Sequence, residues 1–101
     1  MIFSALNEAA ERGGLLLVKD GFCRFYRRKR DNVIVIREII VLPRSRRMGI
    51  ASLMVKEIQL KFPKSEVLAR CPVGYESNLF WGKMGFRLEE EIRGVNVWKS
   101  N

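Results

Sequence analysis

The chain has 101 residues, enough for one domain (1–101) and too few for two. Hydrophobic residues make up 48% of it, which excludes a disordered chain, and no apolar run approaches the roughly 20 residues that a membrane-spanning helix requires. Nineteen lysines and arginines against 11 acidic residues leave a net charge of +8, a balance that favours phosphate-rich ligands, nucleic acid or acidic proteins without choosing among them.

The chain has no histidine. That removes Ser–His and Cys–His nucleophile pairs, and with them much hydrolase chemistry. It also takes away the usual nitrogen ligand of zinc, so no metal is expected. Cys23 and Cys71 are the only cysteines and form no C-x-x-C pair, so two reduced thiols are expected. The start, Met1-Ile2-Phe3-Ser4, lacks the basic segment and long apolar core of a secretory signal. A soluble cytoplasmic protein is expected.

In chain order, residues 2–12 place Phe3, Leu6, Ala9 and Ala10 at helical spacing, and Gly13-Gly14 ends that helix. Residues 15–19 read as a strand, Asp20-Gly21 as a hairpin turn, and residues 22–28 as the returning strand. In it Phe22, Arg24 and Tyr26 share one face, and Cys23, Phe25 and Arg27 the other. Residues 29–32 form a charged turn. Residues 33–42 are a long β-branched strand interrupted only by Arg37-Glu38; a run apolar on both faces predicts a central strand. Pro43 stops it, and a basic loop leads to Gly49. Residues 50–62 are helical, with Ala51, Met54, Val55, Ile58 and Phe62 on one face, and Pro63 closes the helix. A strand over 66–71, a short helix over 76–84 capped by Gly85, and a hairpin of 86–92 and 95–99 around Arg93-Gly94 complete the pattern. The order α-β-β-β-α-β-α-β-β predicts an α/β domain with a single mixed sheet, whose parallel pair flanks the crossover helix.

The strongest local signal is the strand, basic glycine-bearing loop and helix around Gly49. The first turn of a helix leaves backbone N–H groups unpaired, and the helix dipole adds positive potential there. A phosphate accepts those N–H groups directly. Gly49 lets it come close to the backbone, Ala51 is nearly as small, and Arg44, Arg46 and Arg47 add charge. A P-loop would need Gly-Lys-Ser/Thr, and a dinucleotide fingerprint would need three glycines; neither is present.

Two motifs in this order resemble the GNAT superfamily of N-acetyltransferases. Val41-Leu42-Pro43 followed by Arg46-Arg47-Met48-Gly49-Ile50-Ala51 is similar to that family's central Gln/Arg-x-x-Gly-x-Gly/Ala motif. The segment Ser77-Asn78-Leu79-Phe80-Trp81-Gly82-Lys83-Met84-Gly85-Phe86 is similar to its aromatic short helix ending in Lys-x-Gly-Phe. The resemblance implies a GNAT-like fold lacking the usual first strand and helix, with a reduced acceptor side that a partner subunit, as in a homodimer, would complete. It implies acetyl-CoA as acetyl donor and an amine on a small molecule or protein as acceptor. The pyrophosphate would sit on Arg46, Arg47, Met48, Gly49, Ile50 and Ala51, and the pantetheine arm beside Ile39, Ile40 and Val41, with the thioester carbonyl near Val41. Asn78 would bond the arm, or else cap its own helix, and Lys83 would reach the outer phosphates.

Acetyl transfer to an amine needs a base for the amine and an acid for the thiolate. Many relatives place a tyrosine where this chain has Trp81, so the acid falls to Tyr75, water or another group. Glu38, alone among apolar strand residues but for Arg37, is the candidate base, although strand alternation sets it opposite Val41. The competing reading for Glu38 is an ion pair with an arginine of a neighbouring strand. Cys71 reads as a buried structural thiol, and Trp81, Phe80, Phe86 and Trp98 as core. The alternative function is a catalytically reduced GNAT-like module that binds nucleic acid or a protein through Arg27, Arg28, Lys29 and Arg30, although no recognised nucleic-acid motif is present.

Overall fold

The computed structural model describes residues 14–100; the predicted helix over 2–12 lies outside them. The described elements are β1 (Gly14–Val18), β2 (Gly21–Arg28), β3 (Val33–Val41), a 3-10 turn (Pro43–Ser45), α1 (Ile50–Lys61), β4 (Val67–Pro72), α2 (Ser77–Lys83), β5 (Arg87–Ile92) and β6 (Val95–Lys99). They form one six-stranded sheet in the order β1-β2-β3-β4-β6-β5. Only β3 and β4 run parallel, and α1 crosses between them as expected. The order, class and count of the elements after residue 13 agree with the sequence pattern, and boundaries differ by a residue or two.

The hairpins differ in how they turn. β1 and β2 close on Val18–Gly21, so the turn residues are Lys19 and Asp20 rather than Asp20 and Gly21. Asp20 takes the left-handed conformation (φ 66°). Gly21 is needed for space instead: a Cβ there would stand 3.0 Å from the Ile40 carbonyl oxygen and 3.2 Å from side-chain atoms of Ile50 and Met54. At the β5–β6 turn, Arg93 (φ 51°) and Gly94 (φ 79°) are both left-handed, matching the twist of the hairpin.

β3 lies third of six, and its first half, Val33 to Ile36, is buried on both faces. Ile34 and Ile36 join Leu16, Cys23, Phe25, Val67, Ala69 and Cys71 under the two helices, where α1 contributes Met54, Val55 and Ile58, and α2 contributes Trp81. Val33 and Val35 face the other way, with Leu68, Val97 and Tyr26. Burial drives the Cys23 thiol pKa up to about 12, so it stays protonated. Trp81 packs against Phe80 and Phe86, with ring centroids 4.8 and 5.0 Å away. These rings belong to the core, as their spacing suggested.

Register makes one local exception that matters for function. Arg24 opposes Glu38, yet the next residue, Phe25, opposes Ile36. Arg37 is therefore the extra residue of a β-bulge. The bulge resets the alternation, so Arg37 and Glu38, adjacent in sequence, both stand on the face away from the helices. Arg37 lies over the Tyr26 ring at 4.6 Å, and Glu38 meets Arg24 at 3.7 Å.

Ile58 is fully buried between α1 and the sheet, whereas Leu60, two residues on, is 75% exposed. Ile58→Ala should destabilise the fold by about 2–5 kcal/mol through lost burial and a residual cavity, while Leu60→Ala should stay within roughly 0.5 kcal/mol. Urea unfolding of the two variants checks this; equal midpoints would show that α1 is not docked on the core as described.

Candidate acetyl donor site

β3 and β4 pair over only three residue pairs, Ile34–Val67, Val35–Leu68 and Ile36–Ala69. Beyond the bulge they part: β3 runs on to Val41 against β2, and β4 runs on to Pro72 against β6. The parting leaves the β4-facing edge of β3 without a strand partner along its second half, so its backbone groups can pair with an extended ligand.

The loop after β3 carries these residues into the first turn of α1. Gly49 is the N-cap in the left-handed conformation (φ 77°), which favours glycine, and an added Cβ would meet nothing within 4 Å. No side chain caps α1, and its first turn holds no acidic residue. The helix bonding begins with Leu53 N–H to the Gly49 carbonyl (2.9 Å), so the N–H groups of Ile50, Ala51 and Ser52 have no intrahelical partner. A concave space of about 260 Å³ lies there, bounded by Val41, Arg46, Gly49, Ala51, Ser52 and, from α2, Phe80, with Ser45, Arg47 and Ile50 completing its wall. An open cradle, uncapped donors and two arginines fit a pyrophosphate and the arm attached to it.

Two contacts the sequence reading missed hold this loop. Asp20, at the tip of the β1–β2 turn, accepts the Ser45 hydroxyl at 2.7 Å and an Arg44 N–H at 3.0 Å, and its carbonyl accepts the Leu42 N–H at 2.8 Å. Arg46 Nε donates to the Val41 carbonyl at 3.2 Å, tying the loop back to β3. Arg44 is thus paired with Asp20 and does not border the concave space. Residues 20 and 45 are too far apart in sequence for spacing to reveal the pair.

Asn78 shows the other kind of commitment. Its amide nitrogen donates to the carbonyls of Pro72 (3.0 Å) and Tyr75 (2.9 Å). Its amide oxygen accepts Asn96 Nδ2 (3.0 Å) and the Trp98 indole N–H (2.9 Å). Both donors and both lone pairs are used, so Asn78 fastens α2 to the ends of β4 and β6. That fixes the position of Phe80 at the concave space. The sequence offered the choice between a ligand contact and a local cap, but could not show Asn96 and Trp98 arriving from β6.

The remaining candidates scatter. Of the β3 residues, Val41 borders the space, Ile39 packs into the core beneath it, and Ile40 is exposed on the opposite face. Met48 is 71% exposed and borders a separate hollow with Val18, Asp20 and Leu53. Lys83 is exposed in the last turn of α2, where a cation suits the helix dipole. Tyr75 lies in the turn before α2, 61% exposed and outside the concave space. Glu38 stands on the far face, half exposed and paired with Arg24, so the ion pair anticipated for it is present. Cys71 is buried in the core at the parting of the strands. Among the described residues no group of three or more His, Cys, Asp or Glu side chains gathers as a metal site, and no helix is long and apolar enough to cross a membrane.

No protein-family model and no curated protein matches the chain. Solved structures do. Arabidopsis thaliana Naa50, in complex with the bisubstrate analogue CoA-Ac-MVNAL, aligns over 99% of this chain and 79% of its own with TM-score 0.66 and 20% identity. A Bacillus subtilis acetyltransferase in complex with CoA aligns over 97% and 82% with TM-score 0.65 and 15% identity. A Desulfovibrio desulfuricans protein assigned to the GNAT acetyltransferase family gives TM-score 0.69 at 13% identity; the match covers 79% of this chain and spans 59% of that one. The chain has the GNAT acetyltransferase fold.

Asp20 has a carboxyl pKa below the ordinary 3.8, because the Ser45 hydroxyl and then the Arg44 guanidinium donate to its charged form. A depressed folded-state pKa stabilises the fold above the unfolded value, and that contribution is lost as pH falls through the lower folded value. Asp20→Asn should therefore flatten the loss of stability as pH drops to 3.8 and below. Chemical unfolding as a function of pH checks this; an unchanged acid limb would mean that Asp20 does not hold the loop.

Proposed function

We propose that this chain is a GNAT-superfamily domain that binds acetyl-CoA and transfers its acetyl group to an amine. One observation carries the reading: the uncapped first turn of α1 opens on a concave space at the mouth of the β3–β4 parting. This joins a phosphate cradle to a free strand edge, the two things that a phosphorylated, amide-bearing arm needs. The neighbours described with CoA and with a CoA-linked peptide support that choice of ligand.

In this reading the N–H groups from Arg47 to Ala51 hold the pyrophosphate, with charge from Arg46 and Arg47; the Arg46 N–H is already given to the Pro43 carbonyl. The free edge of β3 over Ile39–Val41 pairs with the arm and fixes the thioester in the parting. Met48 contributes backbone rather than side chain, and Lys83 meets the ligand only at its outer phosphates. Asn78 acts indirectly by holding α2 and Phe80 in place. The acetyl donor supplies an activated carbonyl; the amine nitrogen forms the new C–N bond as the C–S bond breaks. The amine proton passes through Glu38 or its solvent, and the departing thiolate takes a proton from water. Glu38 stands on the face from which an acceptor can enter without meeting α1 or α2. Tyr75 would serve as the acid only if the turn before α2 folded inward. The cytoplasm, where acetyl-CoA is made and used, is the matching location, and a second copy of the chain could extend the acceptor side.

The alternative, a module binding nucleic acid through residues 27–30, has less to stand on. Arg28 is held by Asp31 through two bonds of 3.0 and 2.7 Å, which leaves a partly neutralised turn.

Acetyl-CoA at 100 times its Kd should stabilise the protein by about 2.7 kcal/mol, a Tm rise of roughly 10–20 °C for a domain of this size. Ala51→Glu places a carboxylate where the dipole favours it, so the apo fold should keep its Tm while the ligand-dependent rise disappears. Gly49→Val should lose the rise as well, with a lower apo Tm from strain at its positive φ. Absence of any rise in the wild type, or an undiminished rise in Ala51→Glu, would overturn the reading.

A further inference from the structure

On the face of the sheet away from the helices, the apex of the β3–β4 parting opens into a second hollow, of about 290 Å³, bounded by Tyr26, Val35, Ile36, Arg37 and Arg70. Ile36 belongs to the last parallel pair, so this hollow lies where the two strands separate. Arg37 comes from the β3 side and Arg70 from the β4 side. Arg37 follows Val33 and Val35 onto this face, the bulge turns Glu38 to it as well, and the Tyr26 ring carries the Arg37 guanidinium. Arg70 pairs in register with Val97, whose side chain belongs to the same face.

The charges around them are mostly settled. Arg24 has Glu38, Arg28 has Asp31, and Lys99 has Glu66. Arg37 and Arg70 have no carboxylate within ion-pair distance among the described residues, and none borders the hollow between them. Glu38, beside Arg37 on the same face, is engaged by Arg24 at 3.7 Å; Glu89 and Glu90 border the next hollow along the sheet, which Arg70 also touches, and Glu89 is engaged by Arg87 at 3.1 Å. Two guanidinium groups facing one pocket without a counter-charge repel each other, and an anion between them removes that repulsion while accepting forked hydrogen bonds from both.

Resting on the proposed acetyl transfer, we infer that the acceptor is an amine that also carries an anionic group, a carboxylate or phosphate, held between Arg37 and Arg70. The bulge then has a second consequence. It sets the anion reader, Arg37, beside the candidate base, Glu38, on one face, so an acceptor gripped at its negative end presents its amine toward the parting. The Val35 side chain and the Tyr26 ring make one wall apolar, which strengthens the grip by lowering the local dielectric.

The test uses the full chain and matched acceptors with acetyl-CoA, read by thiol release: glycine against glycinamide, O-phosphoethanolamine against ethanolamine, and an Asp-Ala-Ala amide against its Asn-Ala-Ala counterpart. Titration with acetyl-CoA comes first, and failure there removes the underlying reading and is seen separately from any acceptor preference. With the donor bound, at least one anionic member should exceed its neutral twin in kcat/KM by about tenfold or more, mainly through KM. The carboxylate and phosphate arms distinguish which anion is read. Arg70→Gln and Arg37→Gln should each collapse that ratio, and Arg70→Glu should invert it, while apo Tm confirms that the variants fold. Equal use of both members of every pair, zero turnover included, overturns the inference. So does a preference that survives both glutamine variants.

Discussion

Three residue pairs join the two halves of the sheet, and the site depends on their being so few. Ile34 to Ile36 bond alongside Val67 to Ala69, and then the strands diverge. The contact is continuous enough to bury Ile34, Ile36, Val67 and Ala69 in one core. It is short enough to leave the second half of β3 with a free edge. Neither a longer parallel ladder nor a complete break would give both a closed core and an open slot.

The other features of the site follow from that parting. The loop after β3 has to turn away from the sheet before α1 can cross back over it. Asp20 holds the turn by Ser45 and Arg44, from the far end of the β1–β2 hairpin. On the β4 side, Asn78 draws the start of α2 onto β4 and β6 through three hydrogen bonds, and a fourth holds the turn at Tyr75. One clamp therefore fixes each bank of the slot. Both are polar and lie at its margins, while the apolar core beneath supplies the stability. The bulge at Arg37 belongs to the same arrangement, since it bends β3 where the strands begin to separate and turns two charged side chains to one face.

A substitution in the family resemblance becomes intelligible in this setting. Trp81 occupies a position where the family that the sequence resembles often has a tyrosine, and here the indole is buried against Phe80 and Phe86. It strengthens the seating of α2, whose seven residues could not hold a helix alone. A side chain used in this way cannot deliver a proton.

The sequence by itself determined the elements from residue 14 onward, because their signals are local. Alternating β-branched residues mark β3, Pro43 and Pro63 bound the crossover helix, and Arg93-Gly94 supplies its own turn. The uncapped start of α1 was legible for the same reason: a glycine opening a helix after a basic loop is a contiguous pattern. The tertiary structure alone decided what long-range pairing controls. It set the register that makes Arg37 a bulge, the reach of Asp20 to Ser45 and of Asn78 to Trp98, and the exposure of Tyr75 and Met48 away from the slot. It also brought Arg37 and Arg70 to one hollow from strands that the crossover helix separates in sequence. Periodicity fixes the face of a residue within its own strand, but one extra residue in a ladder reverses every face beyond it, and no local pattern records where that residue falls.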